Sequence, residues 1–268
     1  MRLVPILVMI TLFSPVPLTA QTSAEPFKLG TFEIDGNQKV GIVLRDSLII
    51  ELDAANRVLE NGLSYPMIPM PADMLELIGR YEYGMKTRIY EIVTHLVENN
   101  HLGDGRPDYV YEVGDVRTLA PINLPGKIMN AAVNFYSHVN ESGTPEERTE
   151  ARRLRREERG VPYLFLKPTR GVVVGNGQPI VLPYGRDRID WEVELAAVIG
   201  RTAKYVSATE APNYIFGYTV SMDISDRGGR PPGGNATRSD WFVGKGHDTF
   251  APMGPWIVPK EFYGDPME

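Results

Sequence analysis

The stretch Asp190-Trp191-Glu192-Val193-Glu194-Leu195 places two acidic residues on either side of one valine. Side chains alternate along a β-strand, so residues two apart share a face. We expect a strand over 191–199 with Glu192 and Glu194 on one face and apolar side chains on the other. Two such carboxylates repel, and one takes up a proton unless a cation lies between them. A solvent-facing strand with two unrelated acids is the simpler interpretation of the spacing by itself.

A third carboxylate, Asp223, follows the apolar run over 215–220. It therefore lies at the end of a predicted strand, where functional side chains are common. The chain has no cysteine, which excludes thiolate metal sites, thiol catalysis and disulfides. Three carboxylates with open positions suit Mg²⁺ or Mn²⁺, because both ions prefer oxygen ligands and retain water.

The segment Asn134-Phe135-Tyr136-Ser137-His138-Val139-Asn140-Glu141 places a histidine three residues before a glutamate. On a helix the two side chains share a face. A carboxylate beside an imidazole fixes its tautomer and raises its basicity, so that His138 can take a proton from water. By itself, a His-x-x-Glu pair is more simply interpreted as a surface pair without a catalytic role.

Two further segments complete the pattern, Gly217-Tyr218-Thr219-Val220-Ser221-Met222-Asp223-Ile224-Ser225-Asp226-Arg227 and Lys245-Gly246-His247-Asp248-Thr249-Phe250-Ala251-Pro252-Met253-Gly254-Pro255-Trp256. Together, the four segments resemble the fumarylacetoacetate hydrolase family, metal-dependent enzymes that act on 2-oxo acids and β-diketones. The resemblance covers most of residues 27–259 and is strongest over 126–259. It implies an α+β fold, with an N-terminal α+β domain over 21–124 and a mixed β-roll, the catalytic domain, over 125–268.

The resemblance also implies roles for eight residues. The metal, Mg²⁺ or Mn²⁺, would be bound by Glu192, Glu194 and Asp223. The catalytic residues would be His138 and Glu141, as a dyad on a mobile lid, and Lys245, which would stabilise developing enolate charge. Arg227 is a plausible clamp for a substrate carboxylate, and Asn134 matches the family's segment before the histidine.

The chain departs from the family's segments at several positions. Phe135 replaces a tyrosine. The segment Ser225-Asp226-Arg227-Gly228 stands where the family has Ser-Ala-Arg-Asp, and Gly246-His247 stands where Ser-Phe is common. We expect His247 to be a core histidine with its hydrogen bonds satisfied, rather than a second polar group in the pocket.

Family members continue beyond the segment over 254–258 to a Thr-Gly-Thr-Pro loop that reaches the substrate. This chain ends at Glu268 without that loop, so the resemblance implies a β-roll that is incomplete here. Strands that pair with the missing stretch would then expose unpaired backbone and apolar side chains, which favours aggregation. The side chains expected to be exposed are Val220, Ile224, Trp256, Ile257 and Val258.

The reaction implied is hydrolytic cleavage of a C–C bond in a small acylpyruvate-like 2-oxo acid or β-diketone. Decarboxylation, hydration or isomerisation on the same site is the first alternative, and an inactive, truncated binding protein is the second. The resemblance further suggests a homodimer for the complete protein.

Composition narrows the remaining possibilities. The chain of 268 residues is 43% hydrophobic and 23% charged, with a formal net charge of -6 and no basic stripe interleaved with aromatics, so we expect no nucleic-acid partner.

Residues 1–20 resemble a secretory signal, with Arg2, an apolar run over 3–13, and a cleavage site before Gln21. If it is cleaved, the protein is exported, periplasmic or secreted; a mis-set start codon or a buried strand is the alternative. The apolar run is too short to span a bilayer, so no stable membrane anchor is expected.

Overall fold

The structure is a computed structural model that describes residues 25–62, 65–141, 143–158, 160–228 and 240–266. The predicted export signal over 1–20 lies outside the described residues. Within those ranges, no helix combines the length and the apolar character that crossing a bilayer requires.

A large, mainly antiparallel sheet organises the chain. Its strands follow the order β10-β11-β13-β1-β2-β3-β4, with β5 paired to β1 and β8 paired in parallel to β13. Two small sheets, β6-β7 and β9-β12, lie apart from it in the pairing pattern. The strands are β1 (Phe27–Ile34), β2 (Asn37–Leu44), β3 (Leu48–Glu51), β4 (Val110–Glu112), β5 (Arg117–Thr118), β6 (Ile128–Ala131), β7 (Leu164–Lys167), β8 (Val173–Val174), β9 (Ile189–Asp190), β10 (Val193–Ile199), β11 (Ile215–Met222), β12 (Ser225–Asp226) and β13 (Ala251–Pro259).

The helices begin at recognisable caps. Asp73 accepts a hydrogen bond from the Glu76 amide and starts the second helix, and Thr144 and Glu147 form a capping box ahead of the fifth. Pro145 occupies the first turn of the fifth helix, where its missing N–H costs nothing. The helices are α1 (Leu52–Gly62), α2 (Met74–Arg80), α3 (Met85–Glu98), α4 (Tyr136–Val139), α5 (Pro145–Glu157) and α6 (Trp241–Lys245).

The principal core lies between helices α1 to α3 and one face of the large sheet. It contains Leu29 and Ile42 from the N-terminal strands together with Phe216 of β11 and Ile257 of β13. Because β1 pairs directly with β13, with Leu29 opposite Ile257, the sheet continues from the N-terminal strands into those that follow residue 125. The domain division at 124/125 stays a prediction.

Two residues that we expected to be exposed are buried. Ile257 is 0% exposed because β13 lies inside the sheet, between β11 and β1, and its side chain enters the core. Ile224 is 2% exposed, and its carbonyl accepts a hydrogen bond from Lys167. Val220 is 47% exposed, as expected. The apolar run over 180–182 forms no strand.

Candidate functional site

The three predicted metal ligands lie together where β10 begins and β11 ends. The two strands are antiparallel, with Val193 opposite Met222, so the start of one adjoins the end of the other. The Asp223 amide donates to the Glu192 carbonyl at 2.8 Å and closes this corner. One carboxylate oxygen from each of Glu192, Glu194 and Asp223 lies within 4.8 Å of the other two.

Asp223 is buried between two lysines. Lys167 of β7 bonds one carboxylate oxygen, and Lys245, the last residue of α6, bonds the other. Lys245 Nζ also donates to Glu192 Oε2 at 2.9 Å and to Ser225 Oγ at 2.6 Å. Burial lowers the pKa of Lys167, although the adjacent Asp223 carboxylate acts in the opposite direction. The lysines therefore supply positive charge to two of the three carboxylates.

Glu194 is the carboxylate of the three that forms no ion pair in the described part of the chain. Asn130 Nδ2 donates to Glu194 Oε2 at 2.7 Å. Burial, and then the negative charges of Asp223 and Glu192, raise the pKa of Glu194. For Glu192, burial again acts against ionisation, but Lys245 and Arg227 hold its pKa below the usual value.

The donor set fits a divalent cation of the Mg²⁺ or Mn²⁺ type. It consists of carboxylate oxygens, which these hard ions prefer. Burial, followed by the charges of Asp223 and Glu192, raises the pKa of Glu194, and a cation beside this carboxylate would act in the opposite direction. Glu192, Glu194 and Asp223 would therefore be the ligands of such an ion.

Arg227 borders the triad. Its Nη2 donates to Asp190 Oδ2 at 2.9 Å and also contacts Glu192 Oε1. The guanidinium therefore bridges Asp190 of β9 and one carboxylate of the triad, and its side chain is part-exposed.

The structure forms the His138–Glu141 pair but does not join it to the triad. His138 Nδ1 lies 2.9 Å from Glu141 Oε2, with the side chains 43% and 66% exposed. Asn134 is exposed just before α4. No hydrogen bond or ion pair between this segment and the triad is seen in the residues that the structure covers. The catalytic and substrate-binding roles of these three residues stay predictions.

Two residues that donate a hydrogen bond to a carboxylate of the triad, Asn130 and Lys167, were not predicted from the sequence. Both lie in the β6-β7 pair, in which Ile128 is opposite Lys167 and Asn130 is opposite Phe165. Both are buried, whereas the neighbouring Met129 and Leu166 are exposed. A polar residue inside an otherwise apolar strand was the one signal that could have pointed to them.

Comparison with known sequences identifies the family. The profile of the fumarylacetoacetate (FAA) hydrolase C-terminal domain matches residues 127–268, just over half of the chain. The chain therefore belongs to the fumarylacetoacetate hydrolase family, as its four segments predict.

Among the relatives are a tautomerase and a hydrolase. The chain is 36% identical over 152 residues to a mitochondrial oxaloacetate tautomerase of Bos taurus, which covers 57% of this chain and 43% of that protein. It is also 36% identical over 155 residues to a 2,4-didehydro-3-deoxy-L-rhamnonate hydrolase of Sphingomonas sp. (strain SKA58), with 58% and 48% covered. The chain thus spans about half the length of the curated relatives that it matches.

A solved maleylpyruvate hydrolase from Sphingobium sp. SYK-6 shares the fold. The TM-score is 0.57 at 25% identity, over 89% of this chain and 70% of that one. A second structure of that hydrolase, in complex with manganese(II) and pyruvate, gives 0.56 at 25% identity, over 89% and 69%. The predicted α+β fold of the fumarylacetoacetate hydrolase type is confirmed.

Proposed function

We propose that the chain belongs to a metal-dependent hydrolase that cleaves a C–C bond in an acylpyruvate-like 2-oxo acid or β-diketone. The observation that carries the proposal is the triad of carboxylate oxygens within 4.8 Å of one another, with Lys245 bonded to two of the three groups. The similarity to a hydrolase whose structure holds manganese(II) and pyruvate supports the substrate class.

Glu192, Glu194 and Asp223 would hold Mg²⁺ or Mn²⁺. When bound, the ion supplies Lewis-acid polarisation of a substrate carbonyl. The buried ammonium of Lys245, fixed by Ser225, lies where it can stabilise negative charge that develops on the 2-oxo acid half of the substrate. Arg227 would bind the substrate carboxylate by exchanging one of its present partners, Asp190 or Glu192, for that group.

His138 would act as the general base. Its Nδ1 bonds Glu141, which leaves Nε2 to accept a proton from water. The water oxygen then bonds to the acyl carbon, the C–C bond breaks, and its electron pair passes to the 2-oxo acid fragment, which takes up the proton that His138 accepted. For this step the exposed segment over 134–141 has to bring His138 within about 3 Å of the water, and Asn134 would contact the substrate from the same segment.

Tautomerisation of a 2-oxo acid is the second candidate, because the oxaloacetate tautomerase is among the similar sequences. The same residues would then move a proton between carbon and oxygen without breaking the C–C bond. Decarboxylation and hydration are further reactions that such a site allows.

The products distinguish these reactions. The Mn²⁺-loaded protein would be incubated with an acylpyruvate and, separately, with oxaloacetate, in water enriched in ¹⁸O. Hydrolysis gives pyruvate and a carboxylic acid labelled by one solvent oxygen in the newly formed carboxyl group. Loss of enol absorbance without cleavage indicates a tautomerase. If Glu194→Gln is as active as the wild type in either assay, the proposed site is wrong.

Export and dimer formation are also proposals. Sequencing of the N-terminus from the producing cell would return a start near Gln21 for an exported protein, and Met1 from cytosol would exclude export. Light scattering of the complete protein tests the homodimer.

A further inference from the structure

A second buried carboxylate, Asp226, lies in the chain between Ser225 and Arg227, which both contact the site. It bonds Arg186 through one oxygen, and the His247 Nε2 lies 3.3 Å from the same oxygen. Its other oxygen accepts a hydrogen bond from the Gly228 amide at 2.8 Å. The Asp226 side chain has no exposed surface. The mechanism proposed above does not use this group.

Asp226 and its two chain neighbours point in alternate directions. Ser225 accepts a hydrogen bond from Lys245, and Arg227 contacts Asp190 and Glu192, so both face the triad. Asp226 lies between them, and its side chain contacts a different set of residues. Asp226 is therefore flanked in the chain by two residues that contact the site.

Asp226 is connected to Lys245 through His247, which lies two residues after Lys245. The turn between them is tight, because a Cβ on Gly246 would lie 2.6 Å from the Phe242 carbonyl oxygen. The His247 ring packs edge-on against Phe250 with centroids 5.1 Å apart. A ring held on one side by Phe250 and on the other by Asp226 fixes the chain immediately after Lys245.

Asp226 is also connected to β9, through Arg186. Arg186 precedes the Ile189–Asp190 strand, in which Asp190 is the partner of Arg227. β9 pairs with β12, and the Arg227 amide donates to the Arg188 carbonyl at 2.7 Å. Asp226 thus joins the three segments that carry Asp190, Arg227 and Lys245.

We propose that Asp226 is a positioning residue that holds Arg227 and Lys245 against the triad through its contacts with Arg186 and His247. The importance of Arg227 and Lys245 for substrate binding rests on the proposed function. Asp226 and His247 are also two of the positions that depart from the family's segments, and the structure pairs them with each other.

The carboxylate is charged in this setting. Burial acts to raise the pKa of Asp226, but the hydrogen bonds from Arg186, the Gly228 amide and His247 hold it below the usual value. A buried charge is tolerated only with such partners. Truncation of Asp226 would leave Arg186 and His247 without it, so the segments they fix would shift.

The first test uses the metal-free protein and does not depend on catalysis. The variants are Asp226→Ala, Asp226→Asn and His247→Phe, with Asp187→Ala as the matched control, an exposed carboxylate beside Arg186 in sequence. The readout is the ¹⁵N NMR signal of Arg227 Nε, assigned by its loss in Arg227→Lys. We expect faster hydrogen exchange of this group, by about tenfold, in Asp226→Ala and His247→Phe, and a smaller change in Asp226→Asn, whose amide oxygen still accepts hydrogen bonds.

The second test uses the Mn²⁺-loaded protein. Calorimetric titration of pyruvate at saturating Mn²⁺ should show binding about tenfold weaker in Asp226→Ala and His247→Phe, because Arg227 and Lys245 are no longer held in place. If the variants lose only thermal stability, and both the Arg227 signal and pyruvate affinity match those of Asp187→Ala, the positioning role is refuted. If the wild type binds neither Mn²⁺ nor pyruvate, the proposed function is refuted but the role of Asp226 is not. That role is then decided by the Arg227 signal of the metal-free protein. Should Asp226→Ala not fold, the Asp226→Asn and His247→Phe variants give the same decision.

Discussion

At the scale of single residues, the three carboxylates of the triad have different surroundings. Asp223 contacts two lysines, and Glu192 contacts Lys245 and Arg227. Glu194 is hydrogen-bonded by Asn130, a neutral amide. Glu194 is thus the carboxylate of the three that no lysine or arginine bonds in the described part of the chain, which makes it the most informative one to change.

Replacement of Glu194 by glutamine should weaken Mn²⁺ binding by more than about tenfold. Loss of a residue that only supports a ligand costs roughly 10–100-fold in metal affinity, so loss of a ligand should cost at least as much. Calorimetric titration of Mn²⁺ measures the effect, and Glu82→Gln, an exposed acid in the N-terminal part, is the control. Equal affinity in both variants would remove Glu194 from the site.

The same variant should change how the stability of the metal-free protein depends on pH. The pKa of Glu194 is raised, so the folded state retains a proton that the unfolded state has already lost as pH rises above the ordinary glutamate value. The free energy of unfolding therefore falls as pH rises through the window between the ordinary and the raised pKa. Glu194→Gln removes this dependence and should be the more stable protein at neutral pH without metal. Urea unfolding at a series of pH values tests this, and parallel curves for both proteins would contradict it.

At the scale of secondary-structure elements, β7 and β10 turn a charged side chain inward and apolar side chains toward solvent. Lys167 of β7 and Glu194 of β10 point toward the site, while Leu166 and Leu195 on the same strands are exposed. The charged groups can face inward because they meet partners of opposite charge or hydrogen-bond donors there. On these two strands, the polar face is therefore the one that contacts the site.

The short helix α4 carries the proposed base, and its role can be separated from metal binding. His138→Ala should lower turnover by roughly 10²–10⁴-fold, the usual contribution of a general base. Mn²⁺ affinity should stay unchanged, since His138 lies outside the triad. His101→Ala, which removes a histidine far from the triad in sequence, is the control. If His138→Ala loses Mn²⁺ binding and keeps its rate at saturating metal, the assigned roles are wrong.

Helix α5 depends on its cap rather than on packing, because none of its residues is buried. Thr144→Ala removes the capping-box hydroxyl and should lower the local stability of the helix by about 1 kcal/mol. Hydrogen exchange within residues 145–157 should become faster while the global unfolding midpoint stays the same. The control is Thr149→Ala in the helix interior, where alanine is the better helix former; similar exchange in both variants would show that the cap does not matter.

At the scale of the whole molecule, β13 joins the site to the N-terminal core. It pairs with β11, which precedes Asp223, and with β1 of the N-terminal strands. Its Ile257 side chain packs in the same core as helices α1 to α3. The N-terminal strands and helices are therefore part of the support of the triad.

Ile257→Ala should lower the free energy of unfolding by about 2–5 kcal/mol, the usual cost of truncating a fully buried isoleucine. Val220→Ala, at an exposed position on neighbouring β11, should change it by no more than about 0.5 kcal/mol. Urea unfolding of both variants measures the difference. Equal, small effects would mean that the core does not extend to β13.

The sequence by itself determined the family and the α+β class, through the resemblance of four ordered segments. Local patterns placed Glu192 and Glu194 on one strand face and Asp223 after an apolar run. The resemblance also gave these residues their proposed roles. Local patterns alone did not decide whether the residues are functional or are ordinary surface groups.

Only the tertiary structure decided which polar groups meet. Lys167 and Asp223 are 56 positions apart, and Asn130 and Glu194 are 64 positions apart, on strands that are distant along the chain. The burial of Ile224 and Ile257 and the pairing of Asp226 with His247 depend in the same way on which segments lie against each other. A periodic pattern specifies the face of an element on which a side chain lies, whereas the group opposite that face is fixed by strand pairing and packing between remote segments.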